Sequence, residues 1–272
     1  LINPLRKKRL KRGDECIVPA LCWSTSLWPI IQAGLKPVFA DVNLKTFTLD
    51  LETIKKKINK KTKMVMMLNV LGNCSEMEKI KKYLNKKKIL LIEDSCEALG
   101  SKYKKKYLGT FGDFGTYSFY YSHQITSGEG GMIVCNSKDD FNILKSLRAH
   151  GWDREINKKN IKNFNFINEG FNLRPLDIAA AIGFNQFKRL SQLKSTRAKN
   201  RNNLIKYLKK NSIQYGVHYP LSINKLKCFK NMFRNKKFIN AEYISSHCLS
   251  LPIDPYLNRR DQKKICSVLN NF

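Results

Sequence analysis

Apolar and polar positions fall in alternating blocks along the first half of the chain, and the blocks predict strands separated by helices. Cys16 to Ala20 (CIVPA) is a short apolar run, and Lys36 to Val42 (KPVFADV) reads as a strand. Lys63 to Val70 (KMVMMLNV) and Lys88 to Glu93 (KILLIE) are apolar almost throughout. Strands that are apolar on both faces belong in a sheet covered on both sides, the usual situation of parallel strands. Between these runs, Ser24 to Ala33 (ended by Gly34), Leu51 to Ile58 and Glu76 to Leu84 have helical spacing. Thr116 to Tyr121 and Gly131 to Val134 predict two more strands with a glycine-rich turn between them, and Asp139 to His150 predicts a helix. The expected architecture is α/β, a mostly parallel sheet flanked by helices.

Beyond Gly151 the pattern changes. Lys158 to Lys162 is a polar, basic loop. Pro175 to Leu190 has apolar positions at helical spacing, with proline in the first turn. Asn202 to Lys210, Asn240 to Cys248 and Arg259 to Leu269 predict helices, and Val217 to Pro220 an extended piece. No internal repeat is visible. The expected boundary lies near Leu193, giving a large α/β domain over 1–193 and a small C-terminal α+β domain over 194–272.

Composition narrows the function classes. A chain of 272 residues with 42% hydrophobic residues can bury one large domain and a small one. Lys and Arg number 51 against 21 Asp and Glu, a formal charge of +30. Such a charge invites a nucleic-acid reading. The lysines are nevertheless scattered between apolar stretches (Lys55 to Lys57, Lys86 to Lys88, Lys104 to Lys106), where solvated faces belong. No nucleic-acid partner is expected. No apolar run approaches the ~18 residues of a membrane span. The eight cysteines contain no C-x-x-C pair, so neither a metal site nor a redox motif is expected, and reduced thiols point to the cytoplasm. The basic run Arg6 to Arg12 is not followed by an apolar stretch, so it is not a secretory signal. The chain begins with Leu, and an incomplete N-terminus is the expectation.

Ligands of open parallel sheets sit at the C-terminal strand ends. Asn69, Asp94 and Glu97 fall there. A carboxylate directly after an apolar strand is costly without a partner. Asp94 followed by Ser95-Cys96-Glu97 equally fits a helix N-cap with a capping box. Both readings stand at this level. The most informative stretch runs from Gly115 to Gly131 (GTYSFYYSHQITSGEGG). Ser118 and Ser122 can donate hydroxyls to an anion, and His123 is suited to moving protons near neutral pH. Gly128, Gly130 and Gly131 permit backbone that other residues resist. A plain hairpin turn with one satisfied histidine is the other reading.

Taken together, GDECIVPALCWSTS, KPVFADV, LIEDSCEALGS, GTFGDFGTYSFYYSHQITSGEGGMIV, RAHGW and GFNLRPLDIAAAIG resemble the DegT/DnrJ/StrS-type sugar aminotransferase/dehydratase family of fold-type I pyridoxal phosphate enzymes. The likeness runs in order from about Gly13 to Leu193, and IQYGVHYP and CLSLPIDPYL resemble that family's C-terminus. The family carries a Schiff-base lysine five residues after the serine of the SF strand. Counting from Ser118 reaches His123, and imidazole cannot replace the lysine amine in that role. A histidine there resembles the sugar 3-dehydratase branch. No cysteine lies between Cys135 and Cys228 to hold an iron–sulfur cluster, which favours the cluster-free group containing the GDP-4-keto-6-deoxymannose 3-dehydratases.

The resemblance implies a cofactor, pyridoxal 5′-phosphate or its pyridoxamine form. It implies Trp23 stacked on the pyridine ring, Asp94 at the ring nitrogen, Glu97 near the 3-hydroxyl and Ser118 at the phosphate. His123 becomes the catalytic base. Asn172 is expected to reach the phosphate of a neighbouring subunit, which implies a homodimer. Arg174 is a candidate for the same shared site and for substrate, and His218 for the substrate pocket. The implied substrate is a nucleotide-linked 4-keto-6-deoxy sugar, with glutamate as amino donor, in deoxysugar biosynthesis of the lipopolysaccharide O-antigen kind. Two departures stand out. The family's glycine- and serine-rich phosphate-binding helix start lies upstream of LINPLRKKRL, and STRAKNRNNLIKYLKKNSIQYGVHYP crosses a region where the family has several strands. A shortened small domain is therefore expected. A sugar aminotransferase, which needs a lysine at position 123, and a non-catalytic remnant are the competing expectations.

Overall fold

The computed structural model of the chain describes residues 9–156, 164–210, 221–233, 236–247 and 250–269. Its centre is a six-stranded sheet. In chain order it contains β1 (Glu15–Pro19), α1 (Ser24–Gln32), β2 (Lys36–Ala40), α2 (Leu51–Lys57), β3 (Thr62–Leu68), α3 (Met77–Lys86) and β4 (Leu90–Asp94). A small hairpin follows, β5 (Lys102–Tyr103) and β6 (Lys106–Tyr107), then β7 (Phe114–Ser118), β8 (Gly131–Cys135) and α4 (Lys138–Arg148). The strand order is β2-β1-β3-β4-β7-β8. All neighbours pair in parallel except β7 and β8, which are antiparallel.

The near-continuous apolar strands are explained by two cores. On β3, Met64, Met66 and Leu68 enter one cluster, and Val65 and Met67 enter the other. The first cluster contains Leu27 and Ile30 of α1, the second Ile54 of α2 and Met77, Ile80 and Leu84 of α3. Each such fully buried side chain stabilises the fold by roughly 1.5–3 kcal/mol. Side chains alternate across a strand, so a sheet with helices on both faces needs apolar residues at every position.

The remaining helices are α5 (Asp177–Lys188), α6 (Leu190–Lys210), α7 (Ile239–His247) and α8 (Arg259–Leu269). The expected boundary at 193/194 falls inside α6. Beyond it, Phe229, Phe233, Phe238, Ala241 and Ile244 join the same core cluster as α1 and β1. Asp41, directly after β2, accepts the backbone N–H groups of Asn240 and Ala241 at 3.0 and 2.9 Å, which fastens the start of α7 to the sheet. Among the described residues beyond α6 there are helices, turns and irregular stretches but no strand. The extended piece expected at Val217 to Pro220 and the basic loop expected at Lys158 to Lys162 lie outside the described residues.

Two expectations need correction. The strand expected over Thr116 to Tyr121 is β7 and stops at Ser118, where Gly131 pairs with it. Tyr120 then donates its N–H to Ser118 Oγ at 3.2 Å, and the chain turns away from the sheet. No helix starts after Asp94, so it is not a helix N-cap. Its Oδ1 instead accepts the N–H of Cys96, two residues on, at 3.2 Å in a local turn.

Candidate active site

The sheet reverses direction of growth at β1, with β2 on one side and β3 on the other. A crevice forms outside the C-terminal strand ends at such a switch point. A cavity of about 640 Å³ lies there. Trp23, Thr25 and Ser26 reach it from the end of β1, Leu68, Asn69 and Val70 from β3, Asp94, Cys96 and Glu97 from β4, and Ser118 and Tyr120 to His123 from β7. Its size is in the range of small-molecule sites, ~300–1,000 Å³.

Asp94 has its two oxygens differently held. Oδ2 accepts the hydroxyl of Ser26 at 2.6 Å, and Oδ1 the N–H of Cys96. The thiols around it are kept neutral. Burial, with Asp94 as a second cause, pushes Cys22 and Cys96 well above the usual thiol range. They are packing groups rather than nucleophiles. Glu97, on the loop beyond, accepts the N–H of Leu71 at 2.8 Å.

His123 sits on the turn after β7. Its Nδ1 is 2.6 Å from the carbonyl oxygen of Cys96. A carbonyl only accepts, so Nδ1 carries the hydrogen, and Nε2 is the ring atom that can take a proton. Trp23 is 60% exposed at the rim of the cavity, which leaves its indole available to a ligand. Among the described residues, no lysine lines the cavity.

One layer below, Glu93 is fully buried. Oε1 accepts the N–H groups of Phe111 and Gly112 at 2.7 and 2.6 Å, and Oε2 that of Gly109 at 2.7 Å. The Asn69 amide donates to the same Oε2 at 3.2 Å and to Ser95 Oγ at 2.8 Å. The strand end that carries Asp94 is thus tied to β3 and to the loop before β7. Gly115 on β7 faces that loop so closely that a Cβ there would lie 1.8 Å from the Gly109 carbonyl oxygen. Burial, then Glu93, raises Tyr117 to about 12, and its hydroxyl donates to the Leu108 carbonyl at 2.5 Å.

The structure brings together Trp23, Asp94, Glu97, Ser118 and His123. It does not bring Asn172 and Arg174 to this cavity. Asn172 is exposed and bridges to Ala149, and Arg174 lies 3.9 Å from Glu155. The RAHGW segment is what holds that loop: His150 N–H donates to Phe171, and Trp152 stacks on Phe164 at 5.1 Å. Next to it, α5 has no buried residue, with Ile178 75% and Phe184 63% exposed, and its N-cap Leu176 is 73% exposed. His218 lies outside the described residues. Sequence reasoning missed Ser26, Glu93 and Gln124. Only Ser26 left a signal, the hydroxyl-rich WSTS segment.

The sequence model of the DegT/DnrJ/EryC1/StrS aminotransferase family matches residues 2–202 and 193–270. The GDP-4-keto-6-deoxy-D-mannose 3-dehydratase of Escherichia coli O55:H7 (strain CB9615 / EPEC) is 41% identical over 206 residues, 72% of this chain and 53% of that protein. The chain spans about half the length of the curated relatives it matches. A solved structure of the E. coli GDP-4-keto-6-deoxy-D-mannose 3-dehydratase with bound hydrated PLP is similar with a TM-score of 0.82, at 29% identity, over 97% of this chain and 82% of that one. A GDP-4-keto-6-deoxymannose 3-dehydratase with a trapped PLP–glutamate geminal diamine gives 0.71 at 38% identity, over 75% and 56% of the two chains.

Proposed function

The chain belongs to the DegT/DnrJ/EryC1/StrS aminotransferase family and has the fold of its pyridoxal phosphate enzymes. On that premise we propose that it is a 3-dehydratase of a nucleotide-linked 4-keto-6-deoxy sugar, working with pyridoxamine phosphate and glutamate. One observation carries the reading. By the motif resemblance, His123 stands where an aminotransferase of this family holds its lysine, and among the described residues no lysine lines the cavity.

The residues present fit the cofactor. The Asp94 carboxylate at the cavity wall, oriented by the Ser26 hydroxyl and the Cys96 N–H, is a group that could pair with a protonated ring nitrogen. An exposed indole is available for stacking. Ser118 offers a hydroxyl to the phosphate. When bound, the cofactor supplies an amine for the sugar's ketone and a pyridinium that accepts an electron pair.

The chain's own residues then have definite tasks. Asp94 would pair with the ring nitrogen of the bound cofactor. Trp23 would stack against the ring. Cys96 holds His123 in the tautomer whose Nε2 is basic, so Nε2 takes the proton released at the cofactor's C4′. The same nitrogen, now protonated, delivers that proton to the departing 3-hydroxyl, which leaves as water. Glutamate would be the source of the cofactor's amino group, and that nitrogen would leave as ammonia when the 3-deoxy ketone is released.

Asn172 and Arg174 are assigned to the partner's site in a homodimer. The support is their position beside the uncovered apolar residues of α5, which a second copy would bury.

The decisive experiment supplies the protein with pyridoxal phosphate, glutamate and GDP-4-keto-6-deoxy-D-mannose, the substrate named for the relative above. A 3-deoxy product, with glutamate consumed and no amino sugar formed, is expected. Accumulation of a 4-amino sugar would make the chain an aminotransferase. Failure to bind the cofactor would leave the non-catalytic reading.

A further inference from the structure

The turn that carries His123 is fastened to the loop behind Asp94 at two successive residues. His123 Nδ1 donates to the carbonyl of Cys96, and Gln124 Nε2 donates to the carbonyl of Glu97 at 2.5 Å. Two neighbouring side chains therefore bond two neighbouring carbonyls. From the far side, Arg197 of α6 donates to the main-chain carbonyl of Gln124 at 2.9 Å. Lys194, on the same helix, donates to the Gly100 carbonyl at 2.7 Å, so α6 braces both loops.

The Gln124 amide has one usable orientation. Turned over, it would set its oxygen against the Glu97 carbonyl oxygen. As placed, its Oε1 is buried without a partner among the described residues. A buried acceptor left unpaired is unfavourable by ~1–3 kcal/mol. An apolar side chain would fill the same space without that loss, so filling space does not account for an amide here. What it adds is a directional tie between the turn and the loop.

A single bond at Nδ1 leaves an imidazole free to rock about that contact. A general base must meet its proton at ~2.6–3.2 Å, and an error of about 1 Å costs roughly 10²-fold. We propose that Gln124, anchored by Arg197, is a positioning residue for His123, holding the turn against residues 94–97 so that Nδ1–H stays on Cys96 and Nε2 stays aimed at the reacting proton. This rests on His123 being the base, as argued above.

The test uses the full chain and Gln124→Leu, with two readouts. Ring nitrogen NMR, with the His123 signals assigned by their loss in His123→Asn, is expected to show the Nδ1–H form in the parent and a mixture of tautomers in the variant. Turnover is expected to fall about 10–100-fold, with cofactor affinity unchanged. Gln124→His, whose Nε2–H reaches about as far, is expected to recover most of the loss. Arg197→Met removes only the outer tie and is expected to lower turnover less, which keeps the test open if Gln124→Leu does not fold. An unaltered His123 tautomer together with full turnover in both variants would overturn the proposal. A parent protein without dehydratase activity would count against the proposed function instead, and the tautomer measurement would still decide the role of Gln124.

Discussion

Ser26, in the first turn of α1, and Asp94, at the end of β4, meet at the edge of the sheet, with the serine hydroxyl 2.6 Å from Asp94 Oδ2. Its partners among the described residues include the Ser26 hydroxyl, the Cys96 N–H and the Cys96 thiol, all neutral groups. Asp94 is in this way oriented toward the cavity.

That arrangement fixes the first expected outcome. Asp94→Asn keeps the shape and loses a charge-assisted bond worth ~1.5–3 kcal/mol. Pyridoxal phosphate should bind about 10- to 100-fold more weakly in equilibrium dialysis. Ser26→Ala should weaken it by no more than about tenfold. Equal affinity for parent and Asp94→Asn would remove Asp94 from the ring nitrogen.

His123→Asn should still bind the cofactor, because Trp23, Asp94 and Ser118 remain. Its turnover should fall by ~10²–10⁴, the usual share of a general base. Borohydride should leave no adduct at position 123 in the parent, and a covalent one in His123→Lys, read by peptide mass spectrometry. Undiminished dehydration by His123→Asn would make the residue a plain turn histidine.

Glu93 is expected to matter for stability rather than chemistry. Glu93→Leu would orphan the buried N–H groups of Gly109, Phe111 and Gly112. At ~1–3 kcal/mol for each unsatisfied group, the loss should reach about 3 kcal/mol or more in urea unfolding. A change below about 1 kcal/mol would show that the loop finds other partners.

The exposed residues of α5 test the dimer. Ile178→Lys or Phe184→Asp on a free surface would change stability by no more than about 0.5 kcal/mol. On a buried interface either should give a monomer in sedimentation, with cofactor binding weakened because Asn172 no longer reaches a partner. A parent that sediments as a monomer and binds the cofactor tightly would refute the shared site.

Thiol reactivity follows from burial. A raised pKa means less thiolate at a given pH, and thiolate is the reactive form. Cys16, Cys22 and Cys96 are all raised by burial, whereas Cys228 is exposed. Iodoacetamide at pH 8 should therefore label Cys228 well before those three. Early labelling of Cys96 would mean that the loop behind Asp94 opens in solution.

The strands were legible because burial on both faces leaves an unbroken apolar run, as in KMVMMLNV, that local chemistry alone reveals. The order of motifs and the histidine at position 123 were legible too, since they need only the chain. The sequence pointed to Asp94 but left Glu93 unread as the end of the KILLIE run. They are adjacent carboxylates on one strand, and alternation sends one beneath the loop at 109–112 and the other into the cavity. Nor could it pair Ser26 with Asp94, Asp41 with the start of α7, or Gln124 with Glu97. Those bonds join segments far apart in the chain, and only the parallel order β2-β1-β3-β4-β7 brings their ends to one edge. By itself, then, the sequence determined which elements form and which side chains could do the chemistry. Which of them stand within 3 Å of one another was decided by the tertiary structure, because a hydrogen bond depends on distance in space and not on separation along the chain.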